Sequence, residues 1–386
     1  MANRDFRLDT LRGVFLVIMM TDHLGTRMAE FTYQPFGFVS AAAAFVMLSG
    51  YMNAFTSPAT NPGLRALLRQ AWKRAARVYR YHFVLLLALL ALAVAMTAYL
   101  HRPTTLYPEQ GGALAMLLYG ALLLHQPSYM DILPMYFLFL LLSPPLLVAL
   151  HRGHDRIVIA GSIACWLLGQ FIDPQEWLGA RLSAGITTGS FNLLAWQLLW
   201  VTGIYAGFLH KVRRQTAFFH HRAWLAVAVV VAAGFFLARH QLLPVSDMLL
   251  AQLEKEDLRI LRVANIASQV VLFCWLIKLV PASRGLPWFR LLGRYSLPVF
   301  SFHILLVYLL DPLSWRVAYW FGYSVNFLYT VAVLATLSLP ALFYQTYERV
   351  LSAGGGRTWA GRMRAMLLTG RHPFSGGKPV RALGAK

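Results

Sequence analysis

The sequence predicts an all-α fold, a polytopic integral membrane helical bundle with about ten transmembrane helices. Hydrophobic residues make up 58% of the chain and charged residues only 13%, whereas a soluble domain is nearer half apolar and a quarter charged. The apolar residues form long blocks, such as 83–100 and 132–150. Each block has about the length that a helix needs to cross a bilayer.

The apolar blocks define ten predicted spans. They are 12–31, 38–56, 81–100, 131–150, 157–173, 191–210, 223–240, 261–281, 297–312 and 324–346. The stretch 57–80 carries six arginines and lysines and no acidic residue, so the positive-inside rule places it in the cytoplasm. Since two spans precede that stretch, the N-terminus is expected in the cytoplasm too. With ten spans, the C-terminus is expected in the cytoplasm as well.

One apolar stretch, 112–126, is short enough to be a re-entrant or interfacial segment. If it does not cross, the basic stretches 151–156, 211–222 and 284–294 all fall on the cytoplasmic side, and the acidic stretch 254–257 falls outside. If it crosses, every loop from His151 onward inverts. The positive-inside rule favours the first arrangement.

Two further segments have distinct compositions. Residues 62–80 have the pattern of an amphipathic basic helix, which lies on anionic lipid or binds a cytoplasmic polyanion. Residues 351–386 are rich in glycine, arginine and proline and are expected to form a disordered cytoplasmic tail, after a membrane domain over 1–350.

The net charge of +20 would suggest nucleic acid as a partner in a soluble protein. Here the basic residues lie between spans, so cytoplasmic loops explain the charge and no nucleic-acid partner is expected. The two cysteines lie in apolar stretches and indicate neither a disulfide framework nor a metal site. Membrane lipid is the expected environment.

Ionisable residues inside the first span need a reason, because each costs about 2.5–3.5 kcal/mol to insert. Arg12 and His23 are eleven residues apart, close to three helical turns, so they share one face about 16 Å apart. We expect Arg12 at the cytoplasmic interface and His23 near the midplane, where it is the candidate catalytic base. The adjacent Asp22 is a candidate for orienting the imidazole, or it bonds another helix.

Other polar residues in or beside spans are weaker candidates. Asp131 opens the fourth span and can equally be a favourable N-terminal helix charge. Asn192 and Gln197 can bond between helices, and Trp196 can be an ordinary interfacial residue. His303 in the ninth span can be a packing histidine.

Several motifs resemble the acyltransferase type 3 superfamily of membrane proteins. They are Arg7-Leu-Asp9-Thr-Leu-Arg12-Gly13, Phe45-Val-Met-Leu-Ser49-Gly50-Tyr51 and Leu292-Gly293-Arg294-Tyr-Ser296-Leu-Pro298-Val-Phe-Ser-Phe-His303. Further motifs resemble one branch, the OpgC family: Asp22-His23, Trp72-Lys73-Arg74-Ala-Ala-Arg77-Val-Tyr79, Met130-Asp131-Ile-Leu-Pro134-Met-Tyr136 and Phe191-Asn192-Leu-Leu-Ala-Trp196-Gln197. Leu193 departs from the family pattern, where proline is expected. The resemblance runs in order over residues 4–310.

The resemblance implies transfer of a succinyl group from cytoplasmic succinyl-CoA, a substrate rather than a resident cofactor, onto hydroxyls of osmoregulated periplasmic glucans. The expected donor-binding residues are Arg12, Arg74, Arg77, Arg80, Arg294, Ser296 and His303. The expected glucan-binding residues are Asp131, Asn192, Trp196 and Gln197. His23, assisted by Asp22, is expected to act as general base or to form an acyl-histidine.

Two alternatives remain at this stage. Intramembrane Asp and His beside a basic mouth also suit a proton-coupled transporter or flippase of an anionic glycan or acyl carrier. An acetyltransferase of the same superfamily, using acetyl-CoA, would share the same motifs. Acyl transfer by purified protein discriminates the enzyme from the transporter.

Overall fold

The computed structural model describes residues 5–98, 106–108, 110–182, 186–215 and 221–352. Most of the predicted tail, from 353 onward, lies outside the described residues. Contacts divide the chain into a main unit, Met1–Ala341, and a second unit, Leu342–Lys386. In the second unit the described residues belong to one helix.

The described residues form α-helices joined by turns and loops, and the all-α membrane fold is confirmed. The helices are α1 Phe6–His23, α2 Ala29–Thr32, α3 Ala41–Phe55, α4 Leu64–Ala98, α5 Gly112–Ala121, α6 Ile132–His151, α7 Asp155–Leu168, α8 Pro174–Leu182, α9 Leu193–Lys211, α10 Arg222–Arg239, α11 Asp247–Ala251, α12 Ile260–Leu276, α13 Pro287–Arg294, α14 Ser296–Trp320, α15 Tyr323–Thr336 and α16 Ser338–Ser352.

Within the described residues, 7 helical segments are long and apolar enough to cross a membrane. They correspond to the predicted spans in α4, α6, α9, α10, α12, α14 and the α15–α16 region. The other predicted spans fall on α1, which carries four charged residues before His23, and on α3 and α7, which have 15 and 14 residues. The count of ten spans therefore stays a prediction.

Large apolar side chains on the outside of the main unit indicate where lipid lies. On α10, Val227, Val229 and Val230 are each at least half exposed. A contiguous apolar surface of this kind is rare on a soluble monomer and is the expected surface of a helix in a bilayer.

Helix α1 is shifted toward the N-terminus relative to the predicted span 12–31. It begins at Phe6, because the side chain of Asp5 accepts a hydrogen bond from the Arg7 backbone N–H. It ends at His23, and Gly25 follows with φ +70. A left-handed glycine just after the last turn is a common way to end a helix. The predicted span was too long because apolar residues continue after this stop.

Helix α4 joins two segments that the sequence analysis separated. The predicted amphipathic helix 62–80 and the predicted span 81–100 form one helix of 35 residues, about 52 Å long. Its first half packs into the bundle, since Leu67, Ala71 and Arg74 line a small cavity together with Ser143 and Pro144 of α6. The opposite face, with Arg69, Trp72 and Lys73, is exposed, so binding of anionic lipid or a polyanion by this segment stays a prediction.

Helix α5 has the geometry of a re-entrant segment. Its 10 residues extend about 15 Å, half the hydrocarbon thickness. The residues that flank it come together, because His125 Nε2 lies 3.0 Å from the Leu106 carbonyl oxygen. The end of α5 rests against the middle of α4, where the Tyr79 hydroxyl donates to the Ala121 carbonyl over 2.8 Å. The flanking residues are therefore close together, and a re-entrant course for this segment stays a prediction.

Small residues bring two helix pairs into backbone contact. On α9, Gly203 and Gly207 face the backbone of Met47 and Tyr51 on α3, where an added Cβ would clash. Similarly, Gly13 of α1 and Gly293 of α13 face each other's helix backbones. Close approach through glycine is the usual way in which membrane helices gain packing energy. The second pair holds α13 against α1 close to Arg12.

Candidate active site

Two histidines from distant parts of the chain meet inside the bundle. Nδ1 of His23, at the end of α1, lies 3.2 Å from Nε2 of His303. Their rings stack with centroids 5.4 Å apart. His303 is inside α14, about 10 Å along the helix axis from Ser296 and about 25 Å from Trp320. The pair therefore lies within the bundle, although α1 ends there.

The hydrogen bonds assign the tautomers of both rings. His303 is completely buried, and its Nδ1 lies 2.6 Å from the Phe300 carbonyl oxygen. Since a carbonyl oxygen only accepts, that nitrogen carries the proton, and Nε2 of neutral His303 is an acceptor. His23 then donates from Nδ1, and its own Nε2 keeps a lone pair. A base oriented by a third group is the arrangement of a catalytic triad.

An aromatic residue covers the other side of His23. The Tyr129 ring stacks on His23 with centroids 4.1 Å apart. Tyr129 has a φ of 69, an uncommon conformation for a bulky residue, so the loop is held in a strained position beside the base. The hydroxyl of Tyr308 donates to the Ser128 carbonyl over 2.9 Å and fixes that loop to α14. Sequence reasoning did not assign a role to Tyr129 or Tyr308.

The structure does not bring Asp22 onto His23. Its carboxylate accepts a 2.6 Å hydrogen bond from the Thr32 hydroxyl, at the end of α2. Asp22 thereby closes the turn that follows α1. The orienting group for His23 in this structure is His303.

Four of the predicted donor-binding arginines lie on one side of the bundle and form the arginine group: Arg12, Arg74, Arg77 and Arg294. Arg74 donates to the Asn53 side chain over 2.6 Å and to the Thr56 hydroxyl over 3.0 Å, which holds it at the end of α3. It is close enough to Arg12 and Arg77 to interact with their charges. Arg294 ends α13 one residue after the glycine that packs on α1.

Two further residues predicted to bind the donor, Ser296 and His303, lie on α14. Ser296 begins α14, and seven residues later His303 lies on the same face. Two helices, α1 and α14, thus lead from the arginine group to the histidine pair. Between them, Leu16 and Met19 fill the face of α1 that joins Arg12 to His23, and both are buried.

Arg80 lies on a different face of α4 from Arg74. It is six residues after Arg74, which turns it about 120° around α4. It is exposed, and its Nε donates to the Ala76 carbonyl of its own helix over 3.2 Å.

Asp131 lies on the opposite side of the histidine pair from the arginines. It is 8% exposed and accepts hydrogen bonds from the hydroxyl and backbone N–H of Ser190, at 2.8 and 3.4 Å. The backbone N–H of Gln126 donates to the Thr187 carbonyl over 2.6 Å. These bonds tie the loop that carries Tyr129 to the loop that precedes α9.

Three residues predicted to bind glucan build the scaffold. Asn192 is 0% exposed; its side-chain oxygen caps α9, while its NH₂ group donates to the Gly169 and Ile172 carbonyls and to Asp257. Trp196 is also 0% exposed and donates to the Lys255 and Glu256 carbonyls. Gln197 exchanges hydrogen bonds with Ser162. Asn192 and Trp196 are fully buried with satisfied polar atoms and have no surface left for a sugar; Gln197 is half-buried, and its role in glucan binding stays a prediction.

Lys255 is a site residue that the sequence analysis missed. Its ammonium lies 5.0 Å from the centre of the Phe191 ring and within electrostatic range of Asp22, His23 and Asp131. Burial lowers the pKa of Lys255 below its ordinary value, and the negative charge of Asp131 opposes that effect. A lysine in a loop predicted to lie outside runs against the positive-inside rule, and that was the available signal.

A match to a known protein family covers all of these positions. The family model described as OpgC protein matches residues 4–349, nearly the whole chain. No curated protein and no solved structure matches the chain significantly. The match includes both histidines, the arginine group and the loops that carry Asp131 and Lys255. The chain therefore belongs to the OpgC family.

Proposed function

We propose that this protein transfers a succinyl group from cytoplasmic succinyl-CoA to hydroxyls of periplasmic glucans, from the inner membrane of a bacterium and with both termini in the cytoplasm. Membership of the OpgC family indicates an acyltransferase with a part in periplasmic glucan succinylation. The donor, the acceptor and the direction of transfer are the proposal.

The observation that carries the proposal is the chain of hydrogen bonds from His23 through His303 to the Phe300 carbonyl. It leaves Nε2 of His23 as a proton acceptor of fixed orientation. In the described part of the chain that nitrogen makes no hydrogen bond to protein. A base of this kind is what the attack of a sugar hydroxyl on a thioester needs.

The reaction then balances as follows. The hydroxyl oxygen attacks the thioester carbonyl carbon, and its proton passes to Nε2 of His23. The carbon–sulfur bond breaks, and the CoA thiolate leaves with the proton from the imidazolium. The products are a succinyl ester and free CoA. Throughout, Nδ1–H of His23 donates to His303, and this bond strengthens while His23 is positively charged.

The placement of the arginines supports a donor route from the cytoplasmic side. CoA carries several phosphate charges, which Arg12, Arg74, Arg77 and Arg294 would hold. The distance of about 16 Å along α1 from Arg12 to His23 is roughly the length of the pantetheine arm. Passage of the arm requires side chains such as Leu16 and Met19 to move aside, because both are packed in this structure.

The test is succinyl transfer by purified protein in detergent, with labelled succinyl-CoA and glucan. We expect His23→Ala to lose about 10²–10⁴-fold in rate while its Tm and its affinity for succinyl-CoA stay near those of the wild type. His154→Ala removes an exposed histidine at the start of α7 and is the matched control, with no loss expected. Absence of transfer by the wild type, together with glycan movement in vesicles, would support a transporter instead.

A further inference from the structure

The loop between α11 and α12, residues 252–259, carries one lysine, Lys255, and hydrogen bonds fix its backbone. Carbonyl groups of this loop accept hydrogen bonds from Trp166, Trp196 and Arg262 at Leu258, Lys255 and Leu253, over 2.9, 3.2 and 2.6 Å. The loop carbonyl of Glu256 accepts from the backbone of Asn192 over 3.1 Å. Because four residues outside this loop donate hydrogen bonds to its carbonyl groups, the backbone that carries the Lys255 side chain is held in place.

In the described part of the chain, the acidic residues of the same loop form no ion pair with Lys255. Arg259 lies 3.6 Å from Glu254 and 3.2 Å from Asp257, and Glu256 is exposed. Among the residues that the structure describes, no carboxylate lies within 4.0 Å of the Lys255 ammonium. Its closest aromatic contact, Phe191, follows directly after Ser190, the partner of Asp131. Among the described residues, the ammonium therefore has no carboxylate in direct contact.

Groups of both charges surround Lys255 before a substrate arrives. Three carboxylates lie within electrostatic range, Asp131, Glu256 and Asp22, and Asp22 and Asp131 each accept a hydrogen bond from a hydroxyl group. The second cation within range is Arg262, which is 5% exposed and donates to the carbonyls of Leu253, Glu254 and Phe38. An added anion in direct contact with Lys255 gains more than it loses to the more distant carboxylates, because the interaction falls with distance.

We infer that Lys255 binds the free carboxylate of the succinyl group and so selects a dicarboxylic donor over a neutral acyl group. The inference rests on the proposed function, in which His23 acts at the thioester carbonyl. In a succinyl group that carbonyl and the carboxylate carbon are three carbon–carbon bonds apart, about 4 Å. Tyr129, which stacks on His23, is two residues from Asp131, and Asp131 interacts with Lys255. Lys255 also interacts electrostatically with His23.

The test compares two donors of equal length, succinyl-CoA and butyryl-CoA, which differ by one carboxylate. For Lys255→Gln we expect kcat/KM for succinyl-CoA to fall about 10- to 100-fold, while that for butyryl-CoA stays the same or rises. Lys255→Arg keeps a cation and is expected to recover most of the succinyl preference. Lys278→Gln makes the same change at an exposed lysine outside this loop; it is the control and should leave the donor ratio unchanged.

Other outcomes overturn the inference in distinguishable ways. A parallel fall with both donors would mean that Lys255 stabilises the reaction or the loop and does not recognise the carboxylate. An unchanged ratio with full activity would mean that the lysine has no role in donor choice. If the wild type transfers neither group, the proposed function itself fails. A lower Tm for Lys255→Gln with an unaltered donor ratio would also reject carboxylate recognition.

Discussion

Nδ1 of His23 lies 3.2 Å from Nε2 of His303, although 280 residues separate them in the chain. The first prediction tests whether this contact orients the base. His303→Leu removes the acceptor, so His23 loses its preferred tautomer, and the transfer rate should fall about 10²–10⁴-fold. His303→Gln offers an oxygen near the position of Nε2 and should retain more activity than His303→Leu.

The measurement is kcat at saturating donor, together with Tm. If His303→Gln and His303→Leu lose the same activity while both remain folded, His303 does not act as the acceptor for His23. A residual rate above about a tenth in His303→Leu would also contradict the orienting role.

The second prediction concerns Asp22, whose carboxylate bonds Thr32 over 2.6 Å. An asparagine can accept the same hydrogen bond, and alanine cannot. If Asp22 acts by closing the turn after α1, Asp22→Asn should reduce the rate less than Asp22→Ala, and Thr32→Val should resemble Asp22→Ala. Succinyl-CoA binding should be nearly unchanged in all three. A severe loss in Asp22→Asn with normal activity in Thr32→Val would show instead that the negative charge itself is needed.

The third prediction separates the arginines of α4. Arg74 is held at the end of α3 and lies near Arg12, whereas Arg80 is turned away. Arg74→Gln is therefore expected to raise the apparent KM for succinyl-CoA about tenfold, the size of one charged hydrogen bond. Arg80→Gln should have little effect and serves as the matched control.

Salt provides a second measurement for the same arginine. Because exposed charge interactions are screened, the difference in donor KM between Arg74→Gln and the wild type should shrink in high salt. An equal KM for the wild type and Arg74→Gln at low salt would leave Arg74 with a structural role at the end of α3.

The fourth prediction concerns Asn192, which we expected to bind glucan and which caps α9. Asn192→Ala removes the cap, worth about 0.5–2 kcal/mol, and leaves buried carbonyl groups without their donor. The Tm in detergent should fall, with no specific rise in KM for glucan. Asn192→Ser keeps a capping oxygen and should be intermediate. A stable Asn192→Ala protein with weaker glucan binding would restore the original assignment.

The two histidines show how much of the candidate site can be predicted from local sequence. The spacing of Arg12 and His23 predicted a shared face because one uninterrupted helix carries both. The partner of His23 was not readable, because His303 reaches it only after α13 and α14 fold back along α1. For Asn192 and Trp196, the polar side chains were found, but their burial depends on a loop more than fifty residues later.

The membrane fold was predictable for a similar reason. Long apolar blocks require only composition and length, so α6, α9, α10 and α12 were anticipated. The end of α1 was missed because Gly25 acts through its φ, which apolar periodicity does not contain. The continuity of α4 was missed because a basic segment followed by an apolar one has the same composition whether or not the helix breaks between them.

The last prediction is the side of the membrane on which each loop lies. Contacts sort the loops into two sets. The first set joins basic segments: Arg213 lies 2.6 Å from Asp155, Arg7 donates to the Ile277 and Val280 carbonyls over 3.0 Å, and the Tyr51 hydroxyl contacts His210. By the positive-inside rule this set is cytoplasmic. The second set includes the loop of Lys255, which bonds Asn192 and Trp196.

A cysteine placed in each set decides the orientation. In a background of Cys165→Ser and Cys274→Ser, Gln215→Cys reports on the first set and Glu256→Cys on the second, and both positions are exposed. We expect a membrane-impermeant maleimide added to intact spheroplasts to label the Glu256→Cys protein, and to label the Gln215→Cys protein only after permeabilisation. Labelling of Gln215→Cys from outside would invert the orientation and put the arginine group on the periplasmic side. Succinyl-CoA could not reach the arginines there, so the same result would remove the proposed donor route.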